Sequence, residues 1–169
     1  MSLVTHLCIH VFFALVSGCI SWFFFGNPEI SFIAGFIGGV LIDLDHFIDY
    51  FIAFGLRFKT DYFIKGYQFL KNDKIYVLFH GWEYVILLLA FTISISGLTS
   101  LKSAIFALAL GALFHLIADT HINKGMSYKG YSFIFRVMNR FEIKKIVTEE
   151  HYKEHLLEKR SAAYIVERI

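Results

Sequence analysis

Histidine and carboxylate side chains recur at helical spacing in a chain that is otherwise largely apolar. His6 and His10 stand four residues apart, His80 and Glu83 three apart, and His115 and Asp119 four apart. Residues three or four apart share one face of a helix. A further set, Asp43, Asp45, His46 and Asp49, sits inside the run Leu41-Ile42-Asp43-Leu44-Asp45-His46-Phe47-Ile48-Asp49. Glu-x-x-His pairs on neighbouring helices are how carboxylate-bridged metal sites are built in bundles. No cysteine belongs to these sets. Imidazole plus carboxylate suits Zn²⁺, with Mn²⁺ or Fe²⁺ as the other candidates.

An ionised Asp in mid-membrane costs about 2.5–3.5 kcal/mol, so three in one apolar run require compensation. A continuous helix through this run places Asp45, His46 and Asp49 within about 100° of arc. Asp43 then falls beside Gly35 and Gly39, whose Gly-x-x-x-Gly spacing lets another helix approach closely. The expected ligand set is His6, Asp43, Asp45, Asp49, His80, Glu83, His115 and Asp119. The roles of His10, His46 and His121 stay open. This set exceeds the needs of one tetrahedral ion, so two or more ions are expected. A carboxylate such as Asp45 or Asp119 would bridge them at about 3.5–4 Å. Such a centre activates water near neutral pH and clamps a phosphoryl or acyl oxygen. Glu83 or Asp49 is the candidate general base where it is not a ligand. The sequence contains no nucleophile elbow, P-loop or redox dithiol, so metal-activated hydrolysis is the leading chemistry. The alternative is a non-enzymatic metal-binding membrane protein, either a structural clamp or an ion transporter.

The elements that must position these residues read as membrane helices. Of the 169 residues, 57% are hydrophobic and 18% charged, against about 45–50% and 25% in soluble domains. A net charge of +2 is too weak for nucleic-acid binding. A bilayer core needs about 20 apolar residues in a helix. Four segments qualify: about 7–25, 31–54, 75–96 and 101–119. The start, Met-Ser-Leu-Val-Thr-His, lacks a basic n-region, so the first run is expected to remain as an anchor. Cys8 and Cys19 are about 16 Å apart along that helix and cannot pair with each other. The expected fold is all-α, an integral membrane four-helix bundle running up-down-up-down, with an amphipathic, charged C-terminal helical tail. The bundle is expected over 1–125 and the tail over 126–169. The helix break falls at Asn123-Lys124-Gly125. Tyr131–Phe141 reads as interfacial and Glu142–Arg168 as a solvated helix, with His151 and His155 on its exposed face. Asp61 and Asp73 read as loop charges.

This topology brings His6, Asp43–Asp49, His80–Glu83 and His115–Asp119 to one membrane face. Arg57, Lys59, Lys65, Lys71 and Lys74 lie on that side, against Lys102 opposite. The positive-inside rule then places both termini in the cytoplasm, in the inner or plasma membrane of a prokaryote. The outer halves of the helices are almost wholly apolar, which argues against a transport path.

His6, the Gly39–His46 stretch, His80 and Gly111-x-x-x-His115-x-x-x-Asp119-Thr120 together resemble the predicted membrane-bound metal-dependent hydrolases. Those are distantly similar to zinc-dependent phospholipase C and the S1/P1 nucleases, and the resemblance implies a helical multinuclear zinc site over about residues 1–130. The chain has Ile42 where that family has Pro before its acidic motif. It lacks the family's Arg ahead of His80 and carries Glu83 in addition. A site at headgroup level, near Tyr50, Tyr62, Tyr67, Trp82, Tyr84, Tyr128 and Tyr131, points to a membrane lipid or another amphiphilic phosphoester as substrate. An aromatic belt would produce much of the same Tyr and Trp distribution.

Overall fold

The computed structural model describes residues 3–97, 99–123 and 125–167. Lys124 and Arg168, which mark the expected helix break and tail end, lie outside the described residues. In chain order the helices are α1 (Leu3–Phe25), α2 (Pro28–Gly39), α3 (His46–Phe54), α4 (Thr60–Ile64) and α5 (Tyr67–Asn72). They continue with α6 (Trp82–Ser94), α7 (Thr99–Ile122), α8 (Phe133–Met138), α9 (Ile143–Ile146) and α10 (Glu149–Glu167). Short 3₁₀ turns occupy Leu41–Asp45 and Tyr128–Tyr131. The described residues contain no strand.

Among the described residues, α1 and α7 are each long and apolar enough to cross a membrane, and α2 with the Leu41–Phe54 segment forms a broken pair that passes the same test together. Two expected segments are therefore corrected. The continuous helix over 31–54 is interrupted at Val40, where a 3₁₀ turn takes over. A 3₁₀ turn advances 120° per residue rather than 100°, so the angle expected between Asp43 and the Asp45–His46–Asp49 face does not hold across the Leu41–Asp45 turn. The third segment is helical only from Trp82 to Ser94. At 1.5 Å per residue it is about 20 Å long, short of a bilayer core of about 30 Å. Residues 75–77 turn their backbone elsewhere: Ile75 N–H donates to Phe141 O, and the N–H groups of Tyr76 and Val77 donate to Asp49.

The chain forms two compact units, Met1–Asp43 with Phe79–Asn123, and Leu44–Leu78 with Lys124–Ile169. The segment 44–78 thus groups with the tail rather than with the bundle expected over 1–125.

In the first unit α1, α2 and α7 pack on one another, and α6 packs on α7. Glycine permits the close approach. A Cβ on Gly111 would stand 2.6 Å from Gly35 O and 2.8 Å from Gly39 N. One on Gly39 would stand 2.8 Å from the Ala14 Cβ. Small residues at crossings let membrane helices gain van der Waals contact where no hydrophobic force separates protein from lipid. Three fully buried hydroxyls tie the same helices together. Ser31 Oγ lies 2.6 Å from Ser103 Oγ and 3.2 Å from Ser21 Oγ, and Ser21 Oγ donates to Ser103 O at 2.9 Å. The outward side chains Phe12, Leu15, Phe23, Ile86 and Ile93 are exposed and apolar, as a lipid-facing surface requires.

In the second unit the key device is a pinned peptide. Val77 adopts φ 32°, an outlier for a β-branched residue. Asp49 accepts its N–H at 2.9 Å and that of Tyr76 at 2.7 Å. Arg136, fully buried, donates Nη2 to Val77 O at 2.9 Å and Nη1 to Gly130 O at 2.8 Å. Tyr50 and Tyr131 are buried here too, so they do not ring a site at the lipid headgroups. The Tyr50 hydroxyl donates to Arg57 O and accepts Lys59 N–H. Against α10, Asp73 accepts hydrogen bonds from His155, at 2.9 Å, and from Lys159. Burial would raise the Asp73 carboxyl, but these two donors outweigh it and hold it below its ordinary value.

Candidate metal centre

Each residue of the cluster arrives for a local reason. His6 and His10 lie one turn apart on α1, and His115 and Asp119 one turn apart on α7. Asp43 follows the break after Gly39, in the 3₁₀ turn. His80 precedes α6 rather than lying on it, in a tight turn closed by Gly81 N–H donating to Phe79 O at 3.0 Å. All six belong to the first unit.

Their ligating atoms converge around Asp119. Its Oδ1 lies 3.3 Å from His10 Nε2 and 3.9 Å from His6 Nε2, while those two nitrogens are 2.9 Å apart. Its Oδ2 lies 3.6 Å from His115 Nε2 and 3.7 Å from His80 Nε2. Those nitrogens are 3.1 Å apart, and each is 3.3 Å from Asp43 Oδ1. One carboxylate therefore faces two lobes, one of two imidazoles and one of two imidazoles plus a second carboxylate. His10, His80, His115 and Asp119 are buried, whereas the side chains of His6 and Asp43 keep 24% and 32% of their exposure.

The arrangement fits a cation. Metal–ligand bonds of about 2.0–2.2 Å place tetrahedral ligands roughly 3.3–3.6 Å from one another. In the lobe of His80, His115, Asp43 Oδ1 and Asp119 Oδ2, the imidazole nitrogens lie 3.1 Å from each other and 3.3–3.7 Å from the two carboxylate oxygens. Asp119 Oδ1 is buried and has no hydrogen-bond partner. The Asp119 carboxylate is buried, and a buried charge is costly without an opposite charge beside it. His115 Nδ1 stands 3.0 Å from Gly39 O. A carbonyl only accepts, so Nδ1 carries a proton and Nε2 is the nitrogen turned toward the cluster, the orientation of metal-ligating histidines. Trios drawn from these residues, His6–His10–Asp43 and His10–His115–Asp119, each bring one ligand atom per residue to within 4.8 Å of the others.

Of the residues expected from sequence, His6, Asp43, His80, His115 and Asp119 meet here. His10, left open, joins them, and its i,i+4 spacing to His6 was the available signal. Asp45 and Asp49 belong to the second unit. Asp49 spends both oxygens on backbone N–H groups, a capping role that spacing does not reveal. Glu83 is part-buried in the first turn of α6. His121 is exposed and donates Nδ1–H to Ile117 O. His46 lies on α3 in the second unit, its ring against Phe69. On α10, His151 is exposed and pairs with Glu154, as a solvated face implies. His155, expected beside it, is buried against Asp73.

Neither a protein-family model nor a curated protein nor a solved structure matches this chain. The cluster's own geometry is thus the basis for its functional reading.

Proposed function

We propose that the chain is a membrane-embedded metal-dependent hydrolase of phosphoesters such as phospholipids. In this reading α1, α2, α6 and α7 form a four-helix membrane bundle, with both termini on the Lys- and Arg-rich cytoplasmic side. The observation that carries it is the Asp119 carboxylate, with one oxygen toward each histidine lobe. That is the disposition of a carboxylate bridging two ions, for which the donor set favours Zn²⁺ over Mn²⁺ or Fe²⁺. His6, His10 and Asp119 would hold one ion, and His80, His115, Asp43 and Asp119 the other. Bound there, the metal supplies an activated water and a Lewis acid for the phosphoryl oxygen. Gly39 O fixes the His115 tautomer, and Glu83, three residues after His80, is the carboxylate assigned as general base. The resemblance to membrane-bound metal-dependent hydrolases, carried by His6, Gly39–His46, His80 and His115–Asp119, supports the hydrolase reading but not the Glu83 role. A structural clamp closes every coordination position. The accessible edge formed by His6 and Asp43 favours an open, catalytic site instead.

The test is elemental analysis of the detergent-purified protein and of His115→Ala, Asp119→Ala and His151→Ala. Turnover of a phosphodiester and of a phospholipid is measured alongside. The first two variants lose bound metal and turnover, and His151→Ala keeps both. Equal metal content in all four proteins overturns the site, and a metal-loaded protein without turnover overturns the hydrolase reading.

A further inference from the structure

Beside the His/Asp cluster the first unit carries a groove of about 260 Å³ lined by residues of α2, the Leu41–Ile42 turn, Phe79, α6 and α7. Apart from the Tyr84 hydroxyl and backbone, its lining is hydrocarbon: Ile37, Leu41, Ile42, Phe79, Leu88 and Leu108 are the larger side chains. Three of its lining residues neighbour candidate ligands along the chain. Ile42 precedes Asp43, Phe79 precedes His80, and Ala112 lies one turn before His115. From there each helix carries the groove away from the cluster, through Ile37 on α2, Leu88 on α6 and Leu108 on α7. On α7 the seven residues from His115 to Leu108 span about 10 Å. These are the apolar stretches of the helices, so along them the groove lies among hydrocarbon side chains. Ile37 and Leu41 are 45% and 37% exposed, so the groove opens outward rather than forming a closed cavity.

Its volume is below the roughly 300–1,000 Å³ of sites that enclose a whole ligand. It suits one chain and not a complete lipid. We propose that this groove takes a single hydrocarbon chain of a phosphate-bearing membrane lipid whose headgroup rests at the His/Asp cluster. The proposal rests on the metal-site reading above and narrows its substrate class. A chain lying in the groove stays in apolar surroundings while its phosphate reaches the cations. Drawing that chain into water instead would cost about fourfold in equilibrium per methylene. The groove therefore selects amphiphiles over water-soluble phosphoesters.

The experiment is photolabelling in phosphatidylcholine vesicles. The probe is a phosphatidic acid with a diazirine in one acyl chain, and the control is the corresponding diacylglycerol, which lacks phosphate. Label sites are read by peptide mass spectrometry on the intact protein and on the double variant Ile37→Trp/Leu88→Trp, which fills the groove. The proposal expects peptides containing Ile37–Ile42 and Tyr84–Leu88 to be labelled at least fivefold above those containing the lipid-facing Phe23 and Ile93. That excess disappears in the double variant and with the phosphate-free probe. Uniform labelling of all apolar faces, or equal groove labelling by both probes, overturns the proposal. Metal analysis of the same samples reports separately on the cluster. A metal-free protein that still labels in the groove would reject the metal-site reading and leave the groove assignment standing.

Discussion

Substituting Gly111 by alanine perturbs the candidate centre without touching any of its ligands. The new methyl would stand 2.6 Å from Gly35 O, whereas real Cβ atoms essentially never approach below 3.0 Å and ordinary contact begins at 3.4 Å. The facing atoms are backbone, so no side chain can rotate away. Helices α2 and α7 must separate by between 0.4 and 0.8 Å at this point. His115 lies one turn further along α7, and its Nδ1–H bond to Gly39 O measures 3.0 Å. Adding the larger displacement takes that bond beyond normal hydrogen-bond length. Losing a partner that orients a ligating histidine costs about 10–100-fold in metal affinity, and overpacking itself costs about 1–3 kcal/mol of stability. The assay is competition with a chromophoric zinc chelator in detergent, with helicity and thermal midpoint followed by circular dichroism. Ile117→Ala, on an exposed position of the same helix, is the control. Wild-type zinc affinity in a folded Gly111→Ala protein would show that the helix approach does not set the site.

Asp49→Asn leaves an amide to serve two backbone donors; it should destabilise by about 1–3 kcal/mol in chemical unfolding while leaving bound metal unchanged. Loss of metal there would return Asp49 to the centre. Ser103→Ala removes a hydroxyl from the buried serine knot and should cost about 0.6–1.7 kcal/mol, read as a lower thermal midpoint with metal retained. A neutral outcome means the hydroxyls contribute nothing net. For Asp73, the folded carboxyl lies below its ordinary value of 3.8, so its contribution is present above that pH and fades as acid protonates the folded form. Protection of α10 amides, taken relative to their intrinsic exchange rates, should therefore fall below about pH 3.8 in the wild type and show no such fall in Asp73→Asn; identical profiles would refute a role for Asp73 in holding α10.

Much of the centre was readable from spacing. The i,i+4 pairs His6–His10 and His115–Asp119 fall on uninterrupted helices, so the 3.6-residue period held and both pairs met. Asp45 and Asp49 belong to the second unit, where both Asp49 oxygens accept backbone N–H groups of Tyr76 and Val77, a use that spacing does not reveal. The start of the third helix was misplaced for a related reason. Apolar content from Ile75 onward resembles a membrane span, but Asp49 and Phe141 capture the backbone groups a helix would use. Those partners are 27 to 66 residues away in sequence, beyond any local window. The serine knot escaped notice because three isolated hydroxyls barely alter hydropathy and only packing brings them together.

The pinned peptide at Val77 has a consequence for biosynthesis. Its carbonyl is held by Arg136, so a ribosome must deliver some sixty further residues before this bend acquires its final support. Until then the Tyr76 and Val77 N–H groups are held by Asp49 while the Val77 carbonyl still awaits Arg136. The C-terminal half therefore acts as a late fastener for a segment made early, and truncations that remove Arg136 should be felt near the middle of the chain rather than at its end.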